Sequence, residues 1–473
     1  MAGWGLCRRV RGLAVSTTAL AAWVFAAAFA SADTLEGSLI LAYQNNPTLN
    51  AQRASVRATD EGVPQALSGY RPRVNVNGSI GSQYFDTTSR SQTLGVGNTY
   101  TQLSGNMTPN NYGITATQTL FNGFQTSNRT RQAESQVQAA RETLRVSEQS
   151  VLLSAVTAYM NLLRDAAILD LQRRNVEVLQ EQLRQTRDRF NVGEVTRTDV
   201  AQSESRLAAG RSQVLNAEAV YKASVATYRQ VIGVEPGRLA PGSPVDRFSP
   251  RTLPAATGLA TATHPAVTSA QYSVDAALLQ VKVAEGALYP TLALQGNVQQ
   301  SNEASLLTLK TFSASAVAQL VVPIYQGGAE YSLIRQAKET LGQRRLDLDT
   351  SRDQVRQGVV QAWGQLEAAK ANIDATQAQV QAAEIALNGV REEARVGQRT
   401  TLDVLNAQQE LVNARVSLVS AQRDRVVASY TLLAAVGGLS PQVLGLRVPV
   451  YDANVHYQQV RDVWAGVRTP DGR

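Results

Sequence analysis

The sequence predicts an α+β membrane protein: a long α-helical coiled-coil barrel joined to a transmembrane β-barrel that is completed only when chains pool their strands. Three observations predict it. The chain is an internal duplication, each copy carries about seventy residues of helical pattern with a seven-residue repeat, and each copy carries one pair of alternating segments.

The duplication is read from matching stretches. Val192-Gly193-x-x-Thr196-x-x-Asp199-Val200 returns as Val396-Gly397-x-x-Thr400-x-x-Asp403-Val404, an offset of 204 residues that also maps Gly233 on Gly437. Upstream the offset is 218, because Pro47 aligns with Pro265, Pro72 with Pro290 and Gly78 with Gly296. The first copy therefore holds 14 extra residues between Gly78 and Leu120.

Taken in order, residues 1–32 read as a secretory leader, with Arg8, Arg9 and Arg11, an apolar run from Leu13 to Ala30, and Ala30-Ser31-Ala32 as the cleavage point. That ending, and the polar chain after Asp33, favour a cleaved leader over a retained anchor. Cys7 is the one cysteine, and it falls inside the leader, so a mature chain has no disulfide, cysteine metal site or acylated cysteine. Beyond the leader no apolar run approaches the roughly 18 residues that a spanning helix needs, so a membrane would be crossed by strands. Without the leader, 42 basic residues face 38 acidic ones, and their interleaving excludes a nucleic-acid footprint. His264 and His456 stand alone and read as surface or packing residues. No catalytic, cofactor-binding or metal constellation is present, which argues against an enzyme.

Residues 33–71 open repeat 1 with a helical segment over about 35–68. Residues 72–121 hold a β-hairpin: Val74, Val76, Gly78 and Ile80 alternate with Asn75, Asn77 and Ser79, and Tyr112, Ile114, Ala116 and Leu120 return with Thr115, Thr117 and Thr119 between them. Residues 86–110 read as a polar loop. Residues 122–233 form a long helical hairpin with its tip near 192–199, because Pro and Gly are missing between Gly123 and Gly193 and a second helix follows from Thr198 to Ile232. At 1.5 Å per residue the first helix would reach roughly 100 Å.

A seam is marked by Val137, Leu144, Val151 and Ala158, then, after a four-residue step, Leu162, Leu169, Val176, Leu183 and Phe190. The positions 204 residues on are Leu341, Leu348, Val355, Ala362, Leu366, Ile373, Val380, Leu387 and Ala394, all apolar. Taken alone this segment also fits a soluble coiled coil.

Repeat 2 follows the same plan. Residues 234–262, rich in Pro and Gly, read as an irregular linker, and 263–289 as a helical segment over about 265–288. Residues 290–326 hold the second hairpin: Leu292, Leu294, Gly296 and Val298 run out, Phe312, Ala314, Ala316, Ala318 and Leu320 return, and 300–310 form a polar loop. Residues 327–437 are the second helical hairpin, with its tip near 396–403 and a second helix over Thr401 to Val436, and 438–473 an irregular C-terminal segment. Apolar-out, polar-in strands fit a membrane barrel, and a half-buried sheet is the alternative. Four strands per chain cannot close, since the smallest such barrels have about eight strands; three chains would supply about twelve.

These residues resemble the TolC family of outer-membrane channel-tunnels over nearly the whole chain. The carriers are Arg189-Phe190-Asn191-Val192-Gly193 with Thr198-Asp199-Val200, Val396-Gly397 with Asp403-Val404-Leu405-x-Ala407-Gln408, Pro323-Ile324-Tyr325-x-Gly327-Gly328, and Tyr451-Asp452-Ala453-x-x-His456-Tyr457-x-x-Val460-Arg461. The resemblance implies a homotrimer in the outer membrane of a Gram-negative bacterium, with a periplasmic tunnel and no cofactor. It implies a passive exit duct for type I protein secretion or multidrug efflux. Docking of a periplasmic adaptor and an inner-membrane ABC or RND transporter would open it. Segments 234–262 and 438–473 would form a belt around the tunnel's middle. Carried over by position, a tip lock joins Arg399 to Asp199 with Thr198 as neighbouring acceptor; an assisting Tyr is replaced by Ala394. The inner-mouth ring falls on Asp403 and Asn406, the latter where the family has an acid, and the adaptor contact on Val192, Gly193, Val396 and Gly397. The alternative is a periplasmic coiled-coil adaptor, against which the duplicated strands and the leader argue.

Overall fold

The computed structural model describes residues 34–470 apart from 94 and 96, together with 472; the leader and its cleavage point lie outside the described residues. The chain begins with α1 (Leu35–Asn45), α2 (Pro47–Asp60) and α3 (Gly62–Leu67), then β1 (Arg73–Ile80), β2 (Gln83–Thr93), β3 (Gly97–Met107) and β4 (Asn110–Asn122). The long α4 (Gln125–Asn191) folds back as α5 (Arg197–Ile232). Repeat 2 comprises α6 (Leu253–Thr263), α7 (Pro265–Glu285), β5 (Thr291–Ser305), β6 (Thr308–Val321), α8 (Ala329–Arg395) and α9 (Thr401–Ala435), and α10 (Ala453–Val460) ends the chain.

Three sequence expectations about helices are corrected. The segment at 35–68 is three helices, because Asn46 caps the next helix with its side chain and Pro47 starts it, ending α1. The linker 234–262 contains most of α6, which is α1 repeated 218 residues on: both have 11 residues and both stop before a capping residue and a proline, Asn46-Pro47 and His264-Pro265. The C-terminal segment likewise contains α10.

Strands β1, β4, β5 and β6 form one antiparallel sheet in the order β1-β4-β5-β6. Its register lines up the side-chain rows across both repeats. Val76, Ile114, Val298 and Ala314 stand abreast on one face, and Asn75, Thr115, Asn297 and Ser315 on the other. The polar face is cross-linked, with Thr115 Oγ1 donating to Asn297 Oδ1 at 3.2 Å. On the apolar face Val74, Val76, Ile80, Ile114, Phe312 and Leu320 are exposed, as a lipid-facing surface requires.

The 86–110 loop is corrected most. It is a second antiparallel hairpin, β2–β3, that continues the arms of β1 and β4, and it accounts for the 14 extra residues of the first copy. The 300–310 loop is also mostly strand, with its turn at Leu306-Leu307 rather than at polar residues. That turn leans on β3: a side chain at Gly105 would meet Leu306 Cδ2 at 2.9 Å. Nearby, Glu303 holds a positive φ of 51° and its carboxylate accepts from the Thr108 amide at 2.7 Å.

The helical seam is largely buried: Val137, Leu144, Val151, Ala158, Leu162, Leu169 and Leu183 in repeat 1, and Leu341, Val355, Ala362, Leu366 and Leu387 in repeat 2. Phe190 is the departure, exposed where α4 nears its end. One further expectation fails: by length and composition α4 is apolar enough to span a membrane, though half of that stretch is buried. Its apolar residues serve a core instead, in which Leu152, Val156 and Tyr159 pack with Leu39 and Tyr43 of α1, Tyr228 and Ile232 of α5, and Leu433 and Leu439. Each such fully buried side chain contributes about 1.5–3 kcal/mol.

Candidate functional site

The tips of the two helical hairpins are built alike. After α4 and after α8 the chain reverses through Gly193 (φ +79°) and Gly397 (φ +82°), a left-handed conformation that costs glycine nothing. The next helix is then started by a reciprocal cap. Asp199 Oδ2 accepts from the Thr196 amide at 2.9 Å and hydroxyl at 2.7 Å, while the Asp199 amide donates to Thr196 Oγ1 at 3.3 Å. Asp403 and Thr400 repeat this at 3.0, 2.8 and 3.2 Å. These bonds hold both carboxyls below the usual carboxylate range: at Asp199 the Thr196 hydroxyl contributes most, at Asp403 the Thr400 amide.

Each tip also carries a brace across its turn, with the charges exchanged between copies. In the first, Arg189 at the end of α4 holds Glu194 of the turn at 2.8 Å. In the second, the position matching Arg189 is Glu393, and it holds Arg399 of the turn at 2.9 Å. Farther up, Arg187 and Glu204 pair across the first hairpin at 2.6 Å, and Arg391 donates to Gln408 across the second at 3.0 Å. The hairpins are joined to each other by Arg206, which donates to Asn406 Oδ1 at 2.7 Å, and by a small core of Leu179, Leu183, Leu207 and Leu405.

The structure therefore places the sequence candidates as follows. Within one chain Arg399 is on Glu393 and is not brought to Asp199. Asp199 is in the cap through Oδ2, and among the described residues nothing is bonded to its Oδ1. Thr198 is exposed on the first turn of α5. Asp403 is a helix cap, and Asn406 serves as acceptor for Arg206. Val192 and Val396 project into solvent beside Gly193 and Gly397.

Sequence reading named Thr196 and Thr400 in the repeated motif without assigning them as caps, and missed Glu393 and Arg206. The Thr-x-x-Asp spacing before each helix was the available sign of the caps.

The histidines are not isolated. His264 caps α7, its Nδ1 accepting from the Ala266 amide at 3.1 Å. His456 of α10 lies 3.0 Å from Asp60 Oδ2 at the end of α2, and Asp60 is 0% exposed. Burial raises the Asp60 carboxyl above its ordinary range, an effect that the hydrogen bond to His456 and the charges of Arg141 and Arg57 oppose.

Comparison with known proteins agrees with this geometry. The family described as outer membrane efflux protein matches residues 39–234 and 257–438, one match in each repeat. The outer membrane efflux protein BepC of Brucella suis is 42% identical over 462 residues, covering 98% of each chain. The outer membrane protein TolC of Escherichia coli is 26% identical over 85% of this chain and 81% of its own. Among solved structures, the Campylobacter jejuni CmeC outer membrane channel superposes with a TM-score of 0.74 at 17% identity, covering 90% of this chain and 89% of that one. With both repeats matched and the sheet and helical hairpins of a channel-tunnel in place, the chain belongs to the outer membrane efflux protein family, in the outer membrane and extending into the periplasm.

Proposed function

We propose that three copies of this chain form a passive exit duct, serving type I secretion or multidrug efflux and opened when a periplasmic adaptor and an inner-membrane ABC or RND transporter dock at its tips. One observation carries the reading. The four-stranded sheet has β1 and β6 as edges and an exposed apolar face, and an open edge in lipid leaves backbone groups without partners. Pairing β6 of one chain with β1 of the next removes every edge. The Asn, Thr, Gln and Ser rows of the other face, with Arg73 at their lower end, then line a wet lumen, suited to conduction without chemistry.

In the closed state Arg399 leaves Glu393 for Oδ1 of the neighbouring chain's Asp199, with Thr198 as a further acceptor, while Oδ2 keeps its cap. Because Ala394 stands where relatives have an assisting Tyr, closure leans on this pair. Asp403 and Asn406 sit at the inner mouth with one acid per chain, and the exposed Val192 and Val396 form the adaptor contact.

Single-channel conductance in planar bilayers tests the reading. Arg399→Ser and Asp199→Ala should each raise it by about twofold or more, and the double variant should add little to Asp199→Ala, since that substitution already removes the shared contact along with the α5 cap. Parental conductance in both single variants, with trimers intact, would contradict the lock. Lack of any conductance from the parent protein, even after docking partners are added, would contradict the duct.

A further inference from the structure

We propose that the chain after α10 is a membrane-interface anchor: Trp464, clamped on Arg71 at the periplasmic end of the strands, seats its indole among the phospholipid headgroups of the outer membrane's inner leaflet. The inference rests on the outer-membrane location of the strands.

The C-terminal segment is tied down at successive points along α2 and α4. Arg53 stacks over Tyr451 at 5.4 Å, Asp60 holds His456, and Arg141 of α4 donates to Asn454 Oδ1 at 2.6 Å and lies over Tyr457 at 5.3 Å. The last tie is at the barrel. Arg71 donates to the Val463 carbonyl at 2.6 Å, and its guanidinium lies 4.8 Å from the centre of the Trp464 ring.

The sheet register fixes the height of that last tie. Gln118 Nε2 donates to the Tyr70 carbonyl at 3.0 Å, and Gln118 stands abreast of Leu294 and Ala318. One row lower, Leu292 faces Leu320, the last aliphatic pair of the sheet. Arg71 and Trp464 are therefore at the lower rim of the lipid-facing band.

The chemistry at this height suits a phospholipid surface. One ring face of Trp464 is on the guanidinium, yet the residue remains 71% exposed, and Val467 beyond it is 99% exposed. Burying such groups in water-filled periplasm gains nothing, whereas an amphipathic indole is favoured where apolar chains meet headgroups. Tyr289 and Tyr325, at the same ends of β5 and β6, are exposed too, so Trp464 extends a ring that the strands already begin. Over 461–473 Arg461, Arg468 and Arg473 stand against Asp462 and Asp471, and Arg71 adds a further cation, so the side chains carry a net positive charge that complements anionic headgroups. The stacked guanidinium keeps its charge and its remaining donors for a phosphate.

The four tryptophans make this measurable, because Trp4 and Trp23 lie in the expected leader. Trp363→Phe, purified as leader-free trimer verified by mass, leaves Trp464 as its one indole. In liposomes, phospholipid brominated just below the acyl carbonyl should quench about half of its emission or more, and aqueous iodide should quench little. Conductance of the same liposomes establishes barrel insertion separately, so failure of the anchor is distinct from failure of the duct. Emission open to iodide and unaffected by bromine would overturn the proposal, leaving the tail in water. Emission shielded from both would overturn it as well, because a neighbouring subunit then covers the ring. Should Trp363→Phe weaken assembly, fluorotryptophan in the unaltered chain gives the same decision: broadening of the Trp464 fluorine line by spin-labelled lipid is expected, and an unbroadened line would refute the anchor.

Discussion

Thr196 and Thr400 each decide where a helix begins, and the tips depend on it. Both bond to an aspartate three residues on, and both follow a glycine that makes the turn. Removing such a cap costs about 1 kcal/mol, so Thr196→Ala should speed hydrogen exchange of the Asp199 amide roughly fivefold while amides in the middle of α4 are unchanged. Unchanged exchange at Asp199 would show that the turn is held by the Arg189 brace instead. The pH dependence has a definite sign. Both aspartates are lowered in the folded chain, so their capping contribution is full at and above the ordinary carboxylate range and is lost only as the pH falls through the lowered values. Much of this was legible, because Val-Gly-x-x-Thr-x-x-Asp occurs twice. The charge-reversed braces were not, since Arg189 and Glu393 align as unlike residues and only three-dimensional proximity pairs them with Glu194 and Arg399.

Among the elements, the helices and barrel strands were readable wherever the environment differs between two faces. Lipid on one side and water on the other force the alternation of β1, β4, β5 and β6. The β2–β3 hairpin has no such contrast: Thr87, Ser89 and Ser91 face Leu103, Thr101 and Thr99 across it with polar groups on both sides, so a strand there looks like a loop. Helix α6 was hidden by Pro254 and Gly258 in its sequence, although the 218-residue offset pointed to it.

The join of α10 to α2 gives a prediction at this scale. Asp60 is raised by burial, so the folded state favours its neutral form, and that stability is full below the ordinary carboxylate range and lost as the pH rises through the raised value. The thermal midpoint of the parent should therefore fall with pH just above that range, and Asp60→Asn should flatten the slope. An identical slope in the variant would exclude Asp60 as its source. His456→Ala, which removes the side-chain hydrogen-bond partner of the buried Asp60, should destabilise by about 1–3 kcal/mol.

For the molecule as a whole, duplication was the informative level. Two copies of helix, hairpin, long helix and return helix give one sheet and two coiled hairpins, and the structure keeps the equivalence down to the caps. Assembly leaves only indirect marks in one chain: strand edges without partners, an apolar face turned outward, and seam positions such as Val176, Leu348, Ile373 and Val380 that one chain buries only in part. In the proposed trimer, closure of the barrel by neighbouring chains would account for the edges and the apolar face, and lateral packing of neighbouring helices for the seams. The mass of the protein extracted from outer membranes in mild detergent tests this most directly. Three subunit masses in one particle are predicted, and a folded, monomeric particle would contradict the account, because four strands do not close a pore.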